Sequence, residues 1–247
     1  IPSGPLMGFP VDALRIKGRY LVERHRVVNL LSFPLNTNPD RGLQTGSLDK
    51  VFLAGNPRDY SGDYATRLET SAEIRTVADF FVGPGLEIVA LLPDEFQSEG
   101  FLQSNLIHLS MPGVIDLKYP GESGLELSES EYGPGRVRLR PLDIRTQKLV
   151  AGLVFLSSIR LTEKPLSDFS SQTGLVSDFI AAGAGSVIAN VWSNDAMSNE
   201  TFIADFYRKL LVSGNIAESL HDSKLHFLKT SGDKGLQNWA GYQLYVK

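Results

Sequence analysis

Ile107-His108-Leu109-Ser110-Met111-Pro112-Gly113 and Leu153-Val154-Phe155-Leu156-Ser157-Ser158-Ile159 are two apolar runs, each leading into polar or turn-forming residues. The first grows out of a strand-length stretch, Leu106 to Leu109, and the second out of Val150 to Leu156. Unbroken apolar runs suit parallel strands covered on both faces, because such a strand has no solvent side to mark by alternation. Similar runs stand at Val51-Phe52-Leu53-Ala54, Leu86 to Leu92 and Ser186 to Val191.

Helical patterns lie between and after these runs. Tyr64, Leu68, Ile74, Val77, Ala78 and Phe81 recur near the spacing of one buried helix face, up to a stop at Gly83-Pro84-Gly85. Phe202, Ile203, Phe206, Tyr207, Leu210 and Leu211 form an amphipathic pattern, with Ser198 as its expected N-cap and Gly214 as its stop. A second helix carries Ile216, Leu220 and Phe227. The order of elements predicts an open α/β sheet with helices on both faces.

Three stretches stand apart from this core. Asp116 to Leu127 is rich in turn residues and Val137-Arg138-Leu139-Arg140 alternates, so the segment between Pro112 and Lys148 reads as a hairpin-like excursion. Trp239 to Val246 reads as a closing strand at a sheet edge. Residues 1–48 read as an N-terminal extension, with Tyr20-Leu21-Val22-Glu23 and Arg26-Val27-Val28 strand-like, and residues 49–247 as the core. No repeat, low-complexity tract or linker divides the chain, so residues 1–247 are expected to form one domain. A start at Ile1 rather than Met is expected of a piece of a longer polypeptide.

Composition removes several classes of function. The absence of cysteine excludes disulfides, thiolate metal sites and cysteine nucleophiles, and it fits a reducing, cytoplasmic setting. His25, His108, His221 and His226 show no His-x-x-x-His spacing, so no metal is expected. Gly183 and Gly185 follow a helix and precede a strand, the reverse of a phosphate loop, and Gly55-Asn56-Pro57-Arg58 lacks the lysine of one. No cofactor is expected on these grounds. A net charge of −4 offers no overall basic field, which argues against nucleic acid and anionic membranes as partners. No apolar run approaches the roughly 20 residues of a membrane span.

In open α/β sheets, ligands and catalytic groups gather just beyond the carboxyl ends of the strands. Here those positions are Ser110 to Gly113 and Ser157 to Arg160. Ser157 or Ser158 as nucleophile, with His108 as base, would need an imidazole nitrogen within about 3 Å of a hydroxyl. His108 lies about 13 Å before Pro112 along an extended run, and a histidine held in the sheet by a hydrogen bond is the plainer reading.

The two opening runs resemble the motif pair of CHAT domains, relatives of caspases and separases. The family carries runs similar to Leu-His-Leu-Ala-Thr-His-Gly and Leu-Val-Val-Leu-Ser-Ala-Cys at these positions. The resemblance continues through Pro2-Ser3-Gly4-Pro5-Leu6, Asp12-Ala13-Leu14, Tyr20 to Glu23, Phe52 to Pro57, Phe179 to Ala189, Val191-Trp192-Ser193-Asn194-Asp195, Phe206 to Leu210 and Trp239 to Tyr242. It implies a caspase-like three-layer α/β/α sandwich with a mostly parallel central sheet. It also places the family's catalytic histidine on Pro112 and its cysteine on Ile159, while keeping His108, Gly113, Leu156 and Ser157. Proline and isoleucine supply neither base nor nucleophile.

The resemblance therefore implies a catalytically inactive pseudoprotease, a binding, scaffolding or regulatory module with a protein or peptide partner. Tetratricopeptide repeats earlier in the parent chain are a further expectation from the family. Gly113, Ser157 and Asp195 would mark the vestigial cleft. Asp195 matches an acidic position that in related proteases helps line a pocket for a basic side chain, although a loop aspartate before a helix is its plainer reading. Two alternatives remain at this point: a hydrolase using Ser157 or Ser158, and a flavodoxin-like small-molecule-binding domain.

Overall fold

The computed structural model describes residues 9–31, 48–55, 72–82, 86–90, 99–111, 113–114, 119–129, 136–157, 169–190 and 196–246. Strands β1 (Arg15–Ile16) and β2 (Arg19–Tyr20) form a small antiparallel hairpin, and β3 (Asn29–Leu30) follows. The core begins with β4 (Val51–Gly55), a helical run over 72–78 (α1), β5 (Leu86–Ala90), α2 (Glu99–Leu102) and β6 (Leu106–Ser110). Next come β7 (Gly113–Val114), β8 (Gly124–Glu129), β9 (Arg136–Leu139), α3 (Pro141–Arg145) and β10 (Leu153–Leu156). The chain closes through α4 (Phe169–Ala182), β11 (Ser186–Asn190), α5 (Ala196–Ser213), α6 (Ile216–Ser231), α7 (Leu236–Ala240) and β12 (Tyr242–Val246).

Seven strands make the central sheet in the order β3-β12-β11-β10-β6-β4-β5. Neighbours are parallel except β11 with β12. Strands β4, β6, β10, β11 and β12 are buried along their whole length, which is why their sequences run apolar without alternation. Side chains of alternate residues then supply two cores. One face packs Phe52, Ile107, Val154 and Val187 against Phe101 of α2, Ile144 of α3 and Phe179 of α4. The other packs Leu53, Leu106, Phe155 and Ile188 against Val77 of α1 and residues of α5, α6 and α7. The result is a three-layer α/β/α arrangement with a mostly parallel sheet.

Several expected boundaries shift for physical reasons. The run at Val150 does not begin a strand. Val150 is half exposed, and the Leu149 and Gly152 N–H groups donate to Ala182 and Asn105 carbonyls while the chain passes from α3 toward β10. Ser198 is the third residue of α5 and not its N-cap, whereas Gly214, at φ 66°, does end that helix. Trp239 and Ala240 belong to α7, and β12 lies inside the sheet between β11 and β3 instead of at its edge. The excursion after Pro112 is a three-stranded antiparallel sheet, β7-β8-β9, and not a single hairpin. Tyr20 closes the β1–β2 hairpin while Leu21–Glu23 is a 3-10 turn. Gly183 and Gly185 act in packing, as their order suggested. At φ 120°, a Cβ on Gly183 would lie 2.4 Å from the Leu149 carbonyl oxygen. Of the helical pattern before α1, Tyr64 and Leu68 lie outside the described residues.

The N-terminal segment is stitched to the last strand and to α6 by buried polar contacts. Asp12 pairs with Lys224, both almost fully buried, and accepts a bond from Gln243 Nε2 at 3.1 Å. Asn29 Nδ2 donates to Gln243 Oε1 at 3.2 Å. Deleting one member of a buried ion pair leaves an uncompensated charge, which costs about 3–5 kcal/mol, whereas an apolar pair of similar volume is often neutral. Asp12→Ala or Lys224→Ala should thus lower the melting temperature by on the order of 10 °C, about 2–4 °C per kcal/mol at this chain length. The double variant Asp12→Leu/Lys224→Met should recover much of that loss in calorimetry.

Candidate functional site

Register places a row of small and polar residues along one end of the sheet. Gly55 lies opposite Ser110 on β6, and Asn190 lies opposite Tyr242 on β12. Leu109 pairs with Leu156 and Leu156 with Ala189, so Ser157 falls between Ser110 and Asn190. Ser110, Ser157, Asn190 and Tyr242 are all buried. Gly113, two residues past Met111, already belongs to β7 and pairs with Leu125, so the chain leaves the main sheet at this point. The strand ends singled out in the sequence are therefore where β6 leaves the main sheet and β10 stops. Pro112, Ser158, Ile159 and Asp195 lie outside the described residues; α5 begins at Ala196, immediately after Asp195.

One pleat deeper, opposite Phe155, sits His108. Its ring is fully buried and stacks on Phe155 with centroids 5.1 Å apart. A buried polar group left without partners costs about 1–3 kcal/mol, and this one has two. Nδ1 lies 2.9 Å from the Tyr207 hydroxyl of α5, and Nε2 lies 2.8 Å from Glu73 Oε1 of α1. Burial, reinforced by the charge of Glu73, pushes the Tyr207 phenol well above its ordinary range. Tyr207 thereby keeps its proton, and its hydroxyl, which can donate or accept, meets Nδ1 while the Glu73 carboxylate meets Nε2.

The same carboxylate collects a second branch. Asn199 Nδ2 donates to Glu73 Oε2 at 3.3 Å, and the Tyr242 hydroxyl donates to Asn199 Oδ1. Asn190 bonds the Tyr242 hydroxyl and donates through Nδ2 to the Ser157 carbonyl at 3.4 Å. Burial likewise raises Tyr242 well above the usual phenol range, with Glu73 adding to the effect. Every donor in this chain meets an acceptor, and both branches end on Glu73. A continuous polar path thus runs from the helical layer to the end of β10.

This arrangement decides what His108 can do. Both ring nitrogens are committed, so neither is offered to Ser157. Ser157 lies two residues past Phe155, about 7 Å farther along the sheet at strand rise. Its Oγ is buried and has no hydrogen-bond partner among the described residues. The structure therefore does not assemble His108 and Ser157 into a nucleophile–base pair. Glu73, Asn199 and Tyr207 were not legible as a site in the sequence. The only signal was a histidine inside an apolar strand, which requires partners but does not name them. Among the described residues no group of three or more His, Asp or Glu side chains could hold a metal ion, and no helix is long and apolar enough to cross a membrane.

A mostly parallel sheet between two helical layers defines a caspase-like α/β/α domain. The CHAT domain family model matches residues 1–247, and the chain belongs to that family. No curated protein matches it.

Two consequences of the buried network are measurable. Glu73→Ala strands donors from His108 and Asn199 and should cost about 3 kcal/mol or more, whereas Tyr207→Phe should cost about 1–3 kcal/mol in urea unfolding. The phenols set an alkaline limit as well. Above pH ~10 an unfolded tyrosine loses its proton while buried Tyr207 and Tyr242 keep theirs, so the native state binds more protons and stability falls as pH rises. Urea midpoints measured from pH 8 to 11 should drop steeply near the upper end, and less so in the Tyr207→Phe variant once corrected for its lower baseline.

Proposed function

We propose that this CHAT domain is a pseudoprotease, a peptidase-like scaffold that binds a protein or peptide partner and does not cleave it. The observation that carries this reading is the pair Pro112 and Ile159 at the motif positions where the family has its histidine and cysteine. A cysteine protease needs a thiolate and an imidazole acting as one unit, and losing either removes most of the rate. This chain has no cysteine at all. His108 does not step in, because Tyr207 and Glu73 occupy both of its nitrogens. The reading assigns the partner to the crevice around Gly113, Ser157 and Asp195, and it carries with it tetratricopeptide repeats earlier in the parent chain and a cytoplasmic setting.

A second reading rests on Ser157, whose buried hydroxyl has no partner among the described residues at the strand end where a nucleophile would sit. A hydrolase built on Ser157 or Ser158 would still need a base, and His108 does not supply one. A cleavage assay on a diverse peptide library separates the two readings. The purified protein should release no product above that of its Ser157→Ala and Ser158→Ala variants. Cleavage that disappears in either variant would make the domain a serine-dependent hydrolase and end the pseudoprotease reading.

A further inference from the structure

Far from the crevice in sequence, residues 15–26 concentrate charge of one sign. Arg15, Lys17, Arg19, Arg24 and Arg26 are five of the chain's 24 Lys and Arg, while Glu23 is the sole member here of its 28 Asp and Glu. In a chain of net charge −4 this is a local inversion, and among the described residues Lys17, Arg19 and Arg24 form no ion pair with the acids nearby. Asp12 is buried against Lys224 and Gln243. Glu23 turns back to accept the Tyr20 backbone N–H at 2.6 Å. Asp233 is taken by Arg15 and by the Tyr20 hydroxyl, the latter at 2.7 Å. The nearby acids are spent on holding the segment in place.

The hairpin geometry then divides its two faces. Lys17 and Gly18 have φ of 53° and 80°, the left-handed pair of a tight hairpin turn. Arg15 pairs with Tyr20 across the ribbon and Ile16 pairs with Arg19. Successive side chains on a strand point to opposite faces. The Arg15–Tyr20 face is fixed: the guanidinium lies over the Tyr20 ring at 4.5 Å, and Tyr20 meets Trp239 edge-on at 5.4 Å. The other face carries Leu14, Ile16 and Arg19. Leu14 is 42% and Ile16 47% exposed. Lys17, Arg19 and Arg24 are exposed, and none has an ion pair among the described residues.

We infer that this face of the β1–β2 hairpin is a docking surface for an acidic protein segment that also carries apolar side chains. Leu14 and Ile16 supply area whose burial favours association, while Lys17 and Arg19, with exposed Arg24 four residues beyond β2 in the chain, select and steer negative charge. The anchored inner face means the ribbon is ordered before the partner arrives. A nucleic-acid site is a poorer fit, since three cations on an acidic protein neutralise few phosphates. An anionic membrane is poorer too, because stable attachment uses clusters of roughly 4–8 basic residues.

The test is selection from an unbiased peptide-display library on the whole 247-residue chain, followed by anisotropy with the most enriched labelled peptide. Enriched peptides should combine Asp or Glu with Leu, Ile or Phe. Lys17→Glu/Arg19→Glu should weaken binding about tenfold or more, Ile16→Ser should weaken it several-fold, and binding should fall from 50 to 200 mM salt. These surface changes should leave the melting temperature in place. Binding that ignores the hairpin variants, an enriched set without acidic residues, or tighter hairpin-dependent binding to an oligonucleotide or to phosphatidylserine vesicles would each overturn the inference. The outcome does not depend on whether the crevice retains chemistry, because none of the varied residues touches it.

Discussion

A strand buried on both faces leaves no water to satisfy a polar side chain, and β6 carries His108 at its centre. That single constraint organises the site. The imidazole must find a partner for each ring nitrogen inside the protein, and it finds them on two helices that flank the same face. Glu73 then has to be satisfied in turn, which draws in Asn199, and Asn199 draws in Tyr242 and Asn190. Hydrophobic area supplies the bulk of folding free energy here, as in any domain of this size. The polar chain specifies which helix faces and which strand ends come together, because partial satisfaction would cost more than an apolar core.

The same network fixes one end of the sheet. The ends of β6 and β10 are positioned by parallel register and by the path from Glu73 to the Ser157 carbonyl. The same logic separates His108 from catalysis: a histidine locked by a phenol on one side and a carboxylate on the other is a structural member. The N-terminal segment is held by a comparable use of charge, with Asp12 buried against Lys224, Asp233 paired with Arg15, and Lys17, Arg19 and Arg24 exposed.

Much of the fold was legible in the sequence because burial on both faces erases alternation. The runs at Val51, Leu106 and Ser186 could hardly be other than interior strands, and Gly214 marked a helix end by its left-handed backbone. Apolar runs at element junctions were less informative. Val150 sits in a connection that exposes it, and Trp239 joins a short helix because its ring packs against Tyr20, a contact between opposite ends of the chain. Of the buried polar network, only His108 was legible. His108 announced that a buried partner must exist, but Glu73, Asn199 and Tyr207 reach it through tertiary packing that no local pattern records. Local sequence likewise could not show that the acids near the basic hairpin are consumed internally.

The most direct test of the central claim is intact-mass spectrometry of the folded protein after exposure to a serine-reactive fluorophosphonate. A scaffold without an activated nucleophile should emerge with unchanged mass, like a Ser157→Ala/Ser158→Ala control. A stoichiometric adduct mapped to Ser157 or Ser158 would show that the crevice activates a hydroxyl, and would contradict the pseudoprotease account.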